Sequence, residues 1–118
     1  MYGFEPGEAF DLFYEGLTVS LSGAAMSAAK LFEKSIATDP TKPATYMYLV
    51  MMYSFMYEPN SVLKDLCSKW LDAANASHDE RQIHRATESL KFHSATDDER
   101  RKMRKEFGKM FRQMRDGK

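Results

Sequence analysis

One cysteine, one tryptophan, four prolines and six glycines are all that 118 residues contain of these types, and acidic and basic side chains balance at 17 each. A lone Cys67 can form no internal disulfide and no zinc set, and it points to a reducing compartment. So few prolines and glycines leave little material for the many tight turns of a β-sandwich or barrel. Overall neutrality supplies no general attraction to nucleic acid or anionic membranes. The longest apolar stretch, Tyr46 to Tyr57, is broken by Ser54 and is far shorter than the roughly 20 residues that span a bilayer. Near the start, Glu5, Glu8, Asp11 and Glu15 exclude the basic, apolar leader of a secretory signal and an Arg-rich presequence. The expectation is a soluble, intracellular, cytoplasmic protein without signal peptide, presequence or transmembrane segment.

Catalytic chemistry is also missing. His78, His84 and His93 never fall at the four-residue spacing that sets two ligands on one helix face. There is no phosphate-binding glycine loop and no G-x-S-x-G nucleophile motif. Asp11 and Glu15 suit a solvated helix face, Asp79 and Glu80 a helix start, and Cys67 a small core position. No catalytic residue, metal site or cofactor is expected, and the chain reads as a non-enzyme.

What remains is helical. Start and stop signals divide the chain into about six helices. They run from about Gly7 to Leu21, Ala24 to Thr38, Pro43 to Tyr57, Asn60 to Asn75, 79 to 92 and 97 to 115. Asn60 or Ser61 can cap the fourth. Ser77-His78-Asp79-Glu80 and Thr96-Asp97-Asp98-Glu99 fit the capping box, in which hydroxyl and carboxylate each satisfy a free backbone N–H. No segment alternates with period two for long enough to form a strand. Loops of two to five residues make neighbouring helices antiparallel.

Gly16, Gly23, Ala28, Phe32, Asp39 and Pro40 fall at meaningful spacings, with Leu12 and Val19 as bulky first-helix positions. Gly16 and Ala28 let two helices approach, Gly23 supplies the turn, Phe32 fills the gap and Pro40 ends the hairpin. This segment, about residues 8–42, resembles a tetratricopeptide repeat, whose period is about 34 residues. Ser35 stands where the family usually has alanine. One period on, residues 43–76 form a degenerate copy: Tyr46, Tyr53, Val62 and Leu66 stay apolar, but Val50, Tyr57 and Ala74 replace Gly16, Gly23 and Pro40. The helix at 79–92 reads as a cap or as the first half of an eroded third repeat.

The resemblance implies a concave groove lined by the first helix of each hairpin. Its positions fall on Phe10, Phe13, Leu17, Ser20 and Leu21, then on Ala44, Met47, Met51, Ser54 and Phe55, making an almost wholly apolar groove. Family members that hold the C-terminal carboxylate of heat-shock proteins use lysine and asparagine, where this chain has Phe13, Leu17 and Tyr48. Such a carboxylate is therefore not the expected partner; an apolar helix or segment is. The third helix, apolar on nearly every side, must be covered by its neighbours, by residues 58–118 or by a partner.

Charge is unevenly distributed. Residues 1–66 carry eight acids and four bases, whereas residues 97–118 carry nine bases and five acids. Within the latter, Met103, Phe107, Met110, Phe111 and Met114 form one helical stripe among basic residues. This basic amphipathic helix could dock on its own chain, bind a partner protein such as a calmodulin-like one, lie on a membrane surface or touch RNA.

The resulting expectation is an all-α, tetratricopeptide-like stack of antiparallel hairpins at 1–95, with an amphipathic helix at 96–118 packed on it or on a partner. Its function would be non-catalytic protein–protein interaction, as an adaptor or assembly subunit of a larger complex. The alternative is a nucleic-acid- or membrane-surface-associated accessory protein acting through the basic helix. The candidate partner-binding residues are Phe10, Phe13, Leu17, Leu21, Met47, Met51, Phe55, Met103, Phe107, Met110, Phe111 and Met114.

Overall fold

The structure is a computed structural model describing residues 4–116. Its elements are α1 (Glu8–Leu21), α2 (Ala25–Thr38), α3 (Pro43–Phe55), α4 (Asn60–Ala76), α5 (Glu80–Ser94) and α6 (Asp97–Asp116), with no strand among the described residues. Every helix end lies within two residues of its expected place. Each helix from α1 to α5 packs on the next, and α3 also touches α5, so the hairpins form one continuous stack.

The first hairpin closes as its sequence dictates. Gly16 lies so near Phe32 that a Cβ added there would stand 2.6 Å from Cε1 of the ring. Phe32 is fully buried, with its ring 5.8 Å from Phe13 and 6.0 Å from Tyr48, so a single side chain joins α1, α2 and α3. Ser35 is buried too, and its hydroxyl donates to the Ala9 carbonyl at 2.7 Å. The departure from alanine adds a polar link between α1 and α2 in place of a methyl contact. Gly23, at φ 86°, makes the turn.

The second hairpin keeps the geometry and loses the residue types. Tyr57, one period after Gly23, also adopts a positive φ, of 57°. A non-glycine side chain is strained in that region. α4 has 17 residues against 14 in α2, and this extra turn disturbs the 34-residue register. Leu63 is buried, whereas Val62, the periodic match of Ala28, is largely exposed.

Two capping expectations fail. At α5 the N-cap is Asp79, whose carboxylate accepts from the Gln82 N–H at 3.2 Å; Ser77 instead donates to the Thr41 carbonyl at 3.2 Å, tying two inter-hairpin turns together. At α4 the N-cap is Pro59, with no side-chain cap; Asn60 lies inside the helix, its Oδ1 2.9 Å from His93 Nδ1 on α5. The capping box at α6 is as expected. The Glu99 N–H donates to Thr96 Oγ1 at 3.1 Å, and the Thr96 N–H donates to Glu99 Oε1 at 3.2 Å.

α5 behaves as the first helix of a third unit. It packs on α4 and is pinned by Trp70, whose indole N–H donates to Gln82 Oε1 at 2.8 Å. Its hairpin does not close. Ala95 is extended (φ −74°, ψ 155°), where the preceding turns use the left-handed residues Gly23, Tyr57 and His78. Without that reversal, α6 restarts at the Thr96 cap and runs away from the stack. Arg100 secures its first turn by donating to the Ala95 carbonyl and the Asp97 carboxylate.

Candidate functional site: the concave face and the free helix

The groove positions from α1 divide into a closed half and an open half. Phe13 is fully buried, contrary to its expected place on the groove surface. The cause is Phe4, which stacks on Phe13 at 4.9 Å and tilts against Phe10 at 5.8 Å, while Lys42 sits over the Phe4 ring. The chain's own N-terminal segment thus covers that end, leaving Phe10 half-buried. Further along α1, Leu17 is half-buried and Leu21 is 89% exposed.

On α3 the expected positions are more open. Met47 is half-buried, Met51 is 42% exposed and Phe55 is 65% exposed, while Ala44 is buried. Coverage of this apolar helix comes from α2 and α4, with a smaller contribution from α5. Leu49, Val50 and Met52 face inward. The remaining apolar strip is available.

Between α3 and α5 the face deepens into a cavity of about 570 Å³. Ala44, Met47 and Tyr48 form its apolar wall, and Lys42, Asp79, Arg81, Gln82 and Arg85 form the polar one. This corrects the expectation of an almost wholly apolar groove. Arg81 and Arg85 lie one turn apart on α5, and no carboxylate among the described residues pairs with either. Gln82 is held by Trp70 through its oxygen, which turns its amide nitrogen toward Met47 Sδ at 3.8 Å. Arg85 Nη1 reaches the same sulfur at 3.6 Å. Thioether sulfur is a weak acceptor, so these donors retain capacity for a stronger one. A pair of basic residues four apart was visible in the sequence, but assigning α5 to a cap put it outside the groove.

The α6 stripe is placed differently from the groove. Met103 is half-buried, while Phe107, Met110, Phe111 and Met114 are exposed. From Arg104 to Arg115 only Gly108 is not exposed. Arg104 lies 5.8 Å from the Phe92 ring, which ties the proximal part of α6 to α5. α6 is not packed along the repeats of its own chain, because the Ala95–Thr96 connection aims it outward.

Among the described residues, no three His, Cys, Asp or Glu side chains gather as a metal site. Cys67 is fully buried, and burial pushes its thiol up to about 11. His93 is lowered, first by burial and then by the nearby Arg100 charge. No described helix is long and apolar enough to cross a membrane.

Taken together, the architecture is that of an all-α solenoid of stacked hairpins with a concave face. A solved structure of a tetratricopeptide repeat domain protein from Salinibacter ruber is similar to it, with a TM-score of 0.67 at 18% identity, over 76% of this chain and 90% of that one. The fold is therefore tetratricopeptide-like. No family model matches the sequence, and no curated protein matches it.

Proposed function

We propose that this chain is a non-catalytic interaction module, an adaptor or assembly subunit, whose concave face holds a segment of another protein. The observation that carries this reading is the cavity between α3 and α5, open beside the strip of Met51 and Phe55. Such a surface suits a helix or extended segment that inserts a large apolar side chain against Met47 and Tyr48. Methionine adapts its shape to such a guest at little cost. Lys42, Arg81, Gln82 and Arg85 add a requirement that composition did not suggest: an acidic group on the guest, beside its apolar anchor. Leu17, Leu21, Met51 and Phe55 extend the contact along the face.

The test is selection from a random peptide library displayed on phage, with the folded chain as bait. Enriched peptides should carry a bulky apolar residue next to Asp or Glu, and should lose affinity for Met47→Asp and for Arg81→Glu/Arg85→Glu. Enrichment of peptides that bind these folded variants equally well would refute the assignment.

A further inference from the structure

The 34-residue period allows α1 and α3 to be compared position by position. Asp11, Glu15 and Thr18 on α1 correspond to Thr45, Leu49 and Met52 on α3. The three α3 residues are buried and the three α1 residues are exposed. Tyr14, at the position of Tyr48, is 57% exposed, whereas Tyr48 stacks on Phe32 of α2. The difference lies in one neighbour. α3 packs on the preceding helix α2 as well as on its own partner α4, whereas α1 packs on α2 alone. α1 thus presents, uncovered by any described residue, the face on which a preceding second helix would sit. A shallow depression lined by Phe10, Asp11, Tyr14, Glu15 and Thr18 marks it.

At the other end of the stack stands α6, a helix without a partner. As the element after α5, it holds the chain position of a third hairpin's second helix. The two faces are complementary. α1 has Glu8, Asp11 and Glu15 and no basic residue. α6 has an exposed Phe and Met stripe, with Arg104, Arg112 and Arg115 along one flank. Handedness decides how they fit. In both helices the charged flank lies on the same rotational side of the apolar stripe: Asp11 follows Phe10, and Arg104 follows Met103. Two such helices laid face to face bring these flanks together only when they run antiparallel, the arrangement of successive helices throughout the stack.

We propose that α6 of one copy docks antiparallel along α1 of a second copy, in the place a preceding hairpin's second helix would take. It cannot do so within one chain, because the Ala95–Thr96 connection is two residues long and α1 stands at the far end of the stack. The contact joins two different surfaces, so repetition closes a ring or extends a chain of copies. It is independent of the α3–α5 cavity.

Sedimentation velocity of the full chain across concentration and salt tests this. Association should rise with protein concentration and weaken as salt screens the flanks. Asp11→Lys/Glu15→Lys and, separately, Arg112→Glu/Arg115→Glu alter exposed positions and should each reduce self-association by at least about tenfold, a loss of roughly 1.4 kcal/mol. An equimolar mixture of the two variants should associate again, because each supplies the face the other has lost. Circular dichroism confirms that each variant is folded. A wild-type chain that stays monomeric up to high micromolar concentration would overturn the proposal. So would variants that still self-associate, since the contact would then lie between two copies of α6 or elsewhere. Two monomeric variants that stay apart on mixing would overturn it as well.

Discussion

Replacing Gly16 by alanine sets two opposing effects against each other, and the structure decides between them. Alanine is the better helix former, by about 0.8–1.0 kcal/mol. Against this, the added Cβ would stand 2.6, 2.9 and 3.1 Å from three atoms of the Phe32 ring. Contacts that short require movement, and Phe32 has nowhere to go: it is fully buried, with the Phe13 and Tyr48 rings beside it. Overpacking of this kind costs about 1–3 kcal/mol. The net expectation is destabilisation of about 1–2 kcal/mol, larger for Gly16→Leu. Urea denaturation followed by the fluorescence of Trp70 measures it. Gly108→Ala is the control, because a Cβ at Gly108 meets nothing within 4 Å. Pairing Gly16→Ala with Phe32→Leu should recover part of the loss relative to Phe32→Leu alone, since neighbours in contact are not additive. A neutral or stabilising Gly16→Ala would mean that α1 and α2 do not meet there, and the description of the first hairpin would fail.

Tyr57→Gly should stabilise by about 0.5–1 kcal/mol, because it relieves a left-handed backbone at an exposed side chain; a loss in thermal denaturation would contradict that. Gln82→Leu leaves the Trp70 indole N–H without its acceptor and should cost about 1–3 kcal/mol. Amide exchange should then show α5 opening more readily than α1 and α2. Cys67 should resist thiol reagents in the folded chain and react on unfolding. Its protonation also links stability to pH: the folded thiol is raised from 9.0 to about 11, so its contribution is intact below pH 9 and is lost as pH rises toward 11. Tyr46 and Tyr53 are raised as well, first by burial, and add to that alkaline loss at higher pH. Cys67→Ala should remove only the earlier part of the decline, which pH-dependent denaturation would show.

Much of this fold is written locally. Pro6, Gly23, Pro40, Pro43 and Pro59 mark helix boundaries through their own backbone preferences, which need no tertiary information. The Gly16–Phe32 contact was legible because only a missing side chain explains glycine inside an amphipathic helix. Other features depend on partners distant in sequence. Phe4 precedes the first helix and belongs to no periodic pattern, so nothing announced that it would cover Phe13 and half-cover Phe10. The longer α4 moved the register, so a fixed period misplaced Val62 and put α5 outside the repeats. With α5 went Arg81 and Arg85, and the groove was read as apolar when one wall is basic. For α6, the stripe and its charges were plain in the sequence, but its direction is set by the backbone at Ala95, where alanine carries no directional signal.

Nine methionines make the central claim measurable without further substitution. Methyl-labelled methionine gives one reporter in the cavity wall (Met47), one on the adjacent strip (Met51) and two on the exposed stripe (Met110 and Met114). Titration with a selected peptide carrying an apolar residue beside an acidic one should shift the Met47 and Met51 methyl resonances, Met47 most, and leave Met110 and Met114 in place. Shifts confined to Met110 and Met114, with Met47 and Met51 unmoved, would contradict the account and transfer the binding function to α6.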